Sequence, residues 1–183
     1  MDMTGERRIA ASREAVWAAL NDVNVLKQCI PGCESLEKQS DTDMVARAKL
    51  QVGPVKATFN GKVMLSDLDP PNGYRISGEG NGGVAGYARG GAVVRLADDG
   101  AGTLMRYQVK ADVGGKLAQL GGRLIDATAK RLADEFFERF TAIVGPVPSV
   151  GAPAALPAKQ EGWLRRLLRR LLGRLLGRKD KVP

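Results

Sequence analysis

The sequence contains no histidine among its 183 residues. This absence excludes Ser-His-Asp and Cys-His nucleophile systems, a histidine general base, and every metal site that uses imidazole. Acid and base chemistry would fall to carboxylates or tyrosines. The adjacent carboxylate pairs Asp98-Asp99 and Asp134-Glu135 are better explained as a turn and a solvated helix face, so we predict no catalytic residue, no metal ligand and no covalently bound cofactor.

Cysteine is also scarce. Cys29 and Cys33 are too few for a disulfide framework, and they lack the second ligand pair of a zinc site. Between them, Pro31 and Gly32 are typical of a helix stop followed by a turn. Structural thiols are favoured over redox or metal chemistry.

Long apolar runs are missing as well. The first residues lack the apolar stretch of a signal peptide, and no segment approaches the ~18 to 20 apolar residues that a membrane span needs. We expect a protein that stays on the cytoplasmic side of the membrane.

Positive charge is concentrated near the end of the chain. Residues 159–183 carry nine of the 28 Lys and Arg but only two of the 20 Asp and Glu, so the preceding part is almost neutral. A basic stripe across the fold, the usual footprint of a nucleic-acid-binding domain, is therefore not predicted, and we expect no nucleic-acid partner.

Much of the chain before residue 116 carries the strand-like alternation that predicts an antiparallel sheet. A first strand over 3–10 precedes a helix capped by Ser12, and a short second helix covers 23–30. Period-2 alternation follows, with turn signals at 53–54, 69–73 and 98–102. About six or seven strands are expected.

From 116 to 144 the period changes to 3.6, which predicts one helix of nearly thirty residues. Its apolar arc includes Leu132, Phe136, Phe140 and Ile143. One long helix on a curved antiparallel sheet, after two short helices, is an α+β helix-grip arrangement.

Small residues on the inward faces of the strands suggest an apolar cavity between helix and sheet. The alternative is that the glycines only relieve bulges and bends of a curved sheet. If there is a cavity, the candidate lining residues come from separate strands and the long helix: Ala48, Ala57, Phe59, Tyr74, Met105, Tyr107, Leu124 and Phe136.

Four segments carry a resemblance to a known family: "IPGCESLE", "KLQVGPVKATFNGKV", "GEGNGGVAGYARGGAVVRL" and "VGGKLAQLGGRLIDATAKRLADEFFERF". Residues 3–145 resemble the carbon monoxide dehydrogenase G-subunit family, within the START-like (SRPBCC) superfamily. The resemblance implies a helix-grip cavity and association with an aerobic carbon monoxide dehydrogenase or related molybdenum hydroxylase. It also implies membrane attachment of that enzyme and a quinone ligand, menaquinone or ubiquinone.

The chain divides into four segments on its composition. Residues 1–145 form the domain, 146–162 a linker rich in proline and alanine, 163–178 an amphipathic helix, and 179–183 a basic tail. Fully extended, the linker spans at most ~60 Å.

The amphipathic segment is too short and too charged to cross a bilayer but suits the surface of an anionic membrane. Its predicted membrane-binding residues are Trp163, Leu164, Arg165, Arg166, Leu167, Leu168, Arg169, Arg170, Leu171, Leu172, Arg174, Leu175, Leu176 and Arg178. The alternatives are an acidic groove on a partner, packing against the chain's own domain, and nucleic acid.

Two functional hypotheses remain. The first is a peripheral membrane protein that binds a quinone-like lipophile and recruits a molybdenum hydroxylase. The second is a START-like aromatase or cyclase that acts through carboxylates or tyrosines in its cavity, or a general lipid carrier.

Overall fold

One antiparallel sheet of seven strands curves around a long helix in the computed structural model, which describes residues 1–145. The strands are β1 (Asp2–Ile9), β2 (Cys33–Lys38), β3 (Asp43–Val52), β4 (Val55–Asp69), β5 (Gly73–Asn81), β6 (Tyr87–Asp99) and β7 (Gly102–Gly114). The helices are α1 (Arg13–Leu20), α2 (Val23–Cys29) and α3 (Gly122–Val144). The predicted helix-grip class, with six or seven strands, is confirmed.

The strand order is β1-β7-β6-β5-β4-β3-β2. Strands β2 to β7 follow one another as hairpins, and β1 closes the far edge by pairing with β7. Since neighbouring strands run in opposite directions, the connections β3–β4, β5–β6 and β7–α3 lie at one end of the sheet. The connections β2–β3, β4–β5 and β6–β7 lie at the other end.

The two short helices begin where their capping residues predict. The Ser12 side chain accepts a hydrogen bond from the backbone N–H of Ala15, and Val16 and Leu20 face the core. Asp22 caps α2 by accepting from the N–H of Asn24 at 2.7 Å. These caps satisfy backbone donors that a helix start leaves without partners.

The long helix is shorter than the prediction. Residues Gly115–Leu120 form a 3₁₀ turn, and α3 begins only at Gly122. The cause is Gly121, whose φ of 86° cannot continue a right-handed helix.

The buried face of α3 also differs from the predicted arc. Phe137 is buried although it lies outside that arc, whereas Ile143 is exposed although it belongs to it. Phe137 is covered because its ring stacks on Tyr107 of β7 and the guanidinium of Arg7 on β1 lies over it.

Candidate ligand-binding chamber

An apolar chamber of about 320 Å³ lies between the inner face of the sheet and the middle of α3. This volume lies at the lower end of the range for small-molecule sites. The lining side chains come from all seven strands and from the three helices or their ends; they include Met44, Leu65, Ile76, Ala92, Val94, Met105, Ala133, Phe136 and Phe137.

Two phenols are the ionisable groups among the residues that line the chamber within 1–145. Tyr74 lies opposite Val94 on β6, and Val94 lies opposite Tyr107 on β7. The two tyrosines therefore share one row and one face of the sheet, with their Cα atoms two strand spacings, or roughly 10 Å, apart. An otherwise apolar space is flanked by two hydroxyl groups.

Tyr74 lies deep in the fold, with 4% of its surface exposed. Its ring meets Trp17 of α1 edge to face, with the ring centroids 5.4 Å apart. Burial alone raises the pKa of Tyr74 above its usual range, and no hydrogen bond within residues 1–145 offsets it. The neutral phenol thus keeps its O–H donor at physiological pH.

Tyr107 lies at the margin of the chamber. Its ring stacks on Phe137 with centroids 5.1 Å apart, and it covers the Cα of Gly5 on β1. Tyr107 and Met3 also border a second, polar cleft of about 300 Å³ between β1 and α3. The chamber and the cleft are therefore neighbours.

An ion pair lies beside this margin. Arg7 of β1 pairs with Asp134 of α3, and its guanidinium carbon lies 5.3 Å from the centre of the Phe137 ring. Both charged side chains are partly exposed, so the pair is screened by water and contributes little to stability.

Four of the eight predicted cavity residues line the chamber: Tyr74, Met105, Tyr107 and Phe136. The other four, Ala48, Ala57, Phe59 and Leu124, are not among its lining residues. The chamber therefore lies nearer to α1 and α2 than the position that the small residues of β3 and β4 predict for a cavity.

Packing accounts for three of the four outlying residues, Ala48, Phe59 and Leu124. Ala48 lies opposite Phe59, and a Cβ atom placed on Gly82 would come within 2.6 Å of the Phe59 ring. The Phe59 ring therefore packs against Gly82 and lies beside Ala48, in the region where small residues suggest space for a ligand. Leu124 packs against Gly53, at the β3–β4 turn, and is 37% exposed.

Sequence reasoning missed Ala92 and Ala133, which face the chamber from β6 and α3. Alternation along β6 places Ala92 on the same face as Val94 and Leu96, so this signal was present in the sequence. The sequence contains no such signal for Ala133. Which residues of α3 border the chamber depends on how the helix packs against the sheet.

The two cysteines are free thiols. Burial raises the pKa of both thiols, against a smaller opposing effect of Arg139 on Cys29 and of Lys27 on Cys33. Because the thiolate is the reactive and metal-binding form, a raised pKa favours the structural interpretation. Within residues 1–145, no group of three or more acidic or cysteine side chains is arranged to hold a metal ion.

The predicted linker and membrane-binding residues, Trp163 to Arg178 included, lie outside the described residues. No helix in the part of the chain that the structure describes is long and apolar enough to cross a membrane.

Comparison with known proteins identifies a family for the described domain. The profile of CoxG, the G-subunit family of carbon monoxide dehydrogenase, matches residues 5–145. No curated protein matches the chain.

Solved structures show the same fold. The chain is similar to a conserved protein from Geobacillus kaustophilus, with 29% identity and a TM-score of 0.75 over 79% of this chain and 95% of that one. A protein from Chromobacterium violaceum shares 15% identity, with a TM-score of 0.59 over 80% of this chain and 99% of that one. The Zhui aromatase/cyclase from Streptomyces sp. R1128 shares 14% identity, with a TM-score of 0.56 over 79% of this chain and 93% of that one. The last two likenesses concern the fold alone.

Proposed function

The chain belongs to the carbon monoxide dehydrogenase G-subunit (CoxG) family, and on that premise we propose that it is a non-catalytic accessory protein with two tasks. It binds a quinone-like lipophile in the chamber, and it attaches a carbon monoxide dehydrogenase or related molybdenum hydroxylase to the cytoplasmic face of the membrane. The bound quinone, menaquinone or ubiquinone, would accept electrons from that enzyme.

The chamber is the observation that carries the ligand-binding part of this proposal. Its lining is apolar apart from Tyr74 and Tyr107, which suits a flat lipophilic ring with few polar atoms. The Tyr74 hydroxyl has no hydrogen-bond partner within residues 1–145 and can donate to a ring carbonyl. A hydrogen bond is electrostatically stronger in such apolar surroundings than in water, so a ligand acceptor would stabilise the site.

The volume of the chamber limits how much of such a ligand it can enclose. About 320 Å³ suits a ring with short substituents, whereas a long prenyl chain exceeds it. A long prenyl chain would therefore extend outside the chamber.

Membrane attachment rests on the sequence of residues 163–178. Leucines on one side of the predicted helix would enter the lipid interface, and each arginine near an anionic leaflet contributes ~1 kcal/mol. The proline-rich residues 146–162 would let the domain reach the partner enzyme while the tail remains on the membrane.

An aromatase or cyclase is the competing function, because solved structures of that kind share the fold. Such chemistry needs a group that takes or gives a proton. The chamber's lining residues within 1–145 include no carboxylate, and burial raises the pKa of Tyr74 away from that of a useful base. These features favour binding over catalysis.

Two measurements test the ligand. Organic extraction of the purified full-length protein, read by mass spectrometry, should release a quinone. Titration with menadione should quench Trp17, since its ring contacts Tyr74 at the chamber wall; Trp163→Phe leaves Trp17 as the single tryptophan.

The matched variant is Tyr74→Phe, which removes the donor but keeps the ring. It should weaken menadione binding by roughly three-fold to tenfold, the value of about one hydrogen bond. An empty extract together with no quenching of Trp17 would contradict the ligand proposal, and turnover of an added polyketide by the same protein would favour the cyclase.

A further inference from the structure

The two ends of the sheet carry opposite charge. We define the basic end as the connections β3–β4, β5–β6 and β7–α3 with their flanking residues, 51–56, 81–87 and 113–125. These ranges contain three cations, Lys56, Lys116 and Arg123, and no carboxylate. The acidic end comprises 39–43, 67–73 and 97–103, which contain six carboxylates and no Lys or Arg.

The cations of the basic end are free to meet a partner. None of the three lies within salt-bridge distance of a carboxylate among residues 1–145, whereas nine ion pairs form elsewhere in that part of the chain. At the acidic end, by contrast, Asp67, Asp98 and Asp99 each pair with an arginine.

The basic end also presents apolar side chains to water. Val84, in the connection between β5 and β6, is 86% exposed. Tyr87 is 43% exposed and Leu124 is 37% exposed, so this end carries three of the six large exposed apolar side chains of residues 1–145. Single exposed apolar residues are common on protein surfaces. Here three of them lie at the same end of the sheet as the three cations, so this end combines apolar and positively charged side chains.

The connections of the basic end are held in place. Ala85 and Leu117 are buried at 4% exposure each, and the two 3₁₀ turns that contain them contact each other. A Cβ atom on Gly86 would collide with the backbone of Gly114, so the two connections approach as closely as backbones can. These packed connections hold Val84 in an exposed position at the end of the sheet.

From this arrangement we propose that the basic end of the domain itself contacts an anionic lipid surface, with Val84 entering the interface and Lys56, Lys116 and Arg123 among the headgroups. Cations that have no ion pair among residues 1–145, placed around apolar tips, suit such a surface, since headgroups neutralise the charge while the tips enter the acyl boundary. A partner protein would have to supply matching carboxylates and a pocket for Val84. The inference rests on the proposed membrane attachment and adds a second contact, distinct from residues 163–178.

A polarity-sensitive dye tests this contact in the full-length chain. The dye is attached to a cysteine at Val84→Cys, or at Ala101→Cys, an exposed site at the acidic end. Cys33→Ser removes the partly exposed thiol, while Cys29 is buried and escapes labelling. The protein is mixed with vesicles of phosphatidylcholine and phosphatidylglycerol in equal parts.

We expect the dye at position 84 to shift to shorter wavelength and brighten several-fold, and the dye at position 101 to remain unchanged. Protein that co-sediments with the vesicles while neither dye shifts would overturn the inference and leave tail attachment standing. Protein that does not co-sediment at all would contradict both. Equal shifts at both positions would also overturn it.

Charge reversal supplies the matched control. Lys116→Glu with Arg123→Glu should abolish the shift at position 84. Lys62→Glu with Lys110→Glu makes the same change in net charge at exposed sites on the outer face of the sheet and should leave the shift in place. An equal loss in both double variants would show a general effect of charge and would overturn the assignment to the basic end.

Discussion

Tyr107 of β7 lies directly opposite Gly5 of β1, and its phenol ring occupies the space above the glycine Cα. The same ring stacks on Phe137 of α3. A glycine on the edge strand therefore allows the phenol to reach the margin of the chamber. Any side chain at this position must move the ring.

Gly5→Ala should displace Tyr107. A new Cβ atom would overlap the end of the phenol, and even the ring carbon Cε1 would be only 2.9 Å away. We expect a loss of about 1 to 3 kcal/mol in the free energy of unfolding, which is typical of overpacking, measured by urea denaturation. Menadione binding should weaken in parallel.

Gly122→Ala is the control for this substitution. Gly122 starts α3 and has no heavy atom within 4 Å of its added Cβ, so alanine should leave stability unchanged or raise it by up to ~1 kcal/mol. Equal stability of the two variants would mean that Tyr107 rotates freely and that Gly5 does not set its position.

Alkaline pH should destabilise the protein through Tyr74. Burial raises the pKa of this phenol in the folded protein, so the unfolded chain loses its proton first. The stabilisation is complete below the unfolded pKa of about 10 and is lost as pH rises above it, by at most ~1.4 kcal/mol per pH unit. Urea denaturation at several alkaline pH values measures this slope.

Tyr74→Phe should flatten that alkaline slope. Tyr87→Phe is the matched control, because the Tyr87 side chain is 43% exposed at the protein surface. If both variants keep the wild-type slope, a group other than Tyr74 causes the loss of stability at alkaline pH. The surroundings of Tyr74 would then be more hydrated than its burial indicates.

Filling the chamber should expel the ligand. Ala92 faces the chamber between Ile76 and Val109, and Ala92→Leu would place three more carbon atoms in it. Because the space exists, we expect the melting temperature to change little while the extracted quinone falls. In a closed core the same change would cost ~1 to 3 kcal/mol.

Ala48→Leu makes the same change in volume beside Phe59, away from the chamber. It should lower stability through overpacking and leave quinone content unchanged. A fall in quinone content with Ala48→Leu, but not with Ala92→Leu, would relocate the ligand to the region that small residues of β3 and β4 indicate.

Removal of the C-terminal segment should release the protein from membranes. The full-length chain should co-sediment with anionic vesicles, whereas a chain that ends at Pro157 should remain largely in the supernatant. High salt should weaken full-length binding only in part, since it screens arginine but not leucine burial. Undiminished sedimentation of the shortened chain would contradict attachment through residues 163–178.

Local patterns in the sequence were sufficient to predict the fold class. Alternation in strands such as β3 and β4, the Ser12 cap and the apolar period of α3 each depend on residues a few positions apart. The same local rules placed the turns at 53–54 and 98–102. Residues 1–145 therefore matched the predicted helix-grip arrangement, and the motifs identified the family that the comparison confirmed.

The position of the chamber, in contrast, follows from contacts between distant parts of the chain. Tyr74 and Tyr107 become neighbours across Val94 through strand pairing, and Ala133 reaches the chamber only because α3 crosses that part of the sheet. Small residues such as Ala48 indicated free space, but the Phe59 ring lies beside Ala48 and packs against Gly82. Free volume is the difference between what the backbone encloses and what all surrounding side chains occupy, so it depends on long-range packing that no local pattern records.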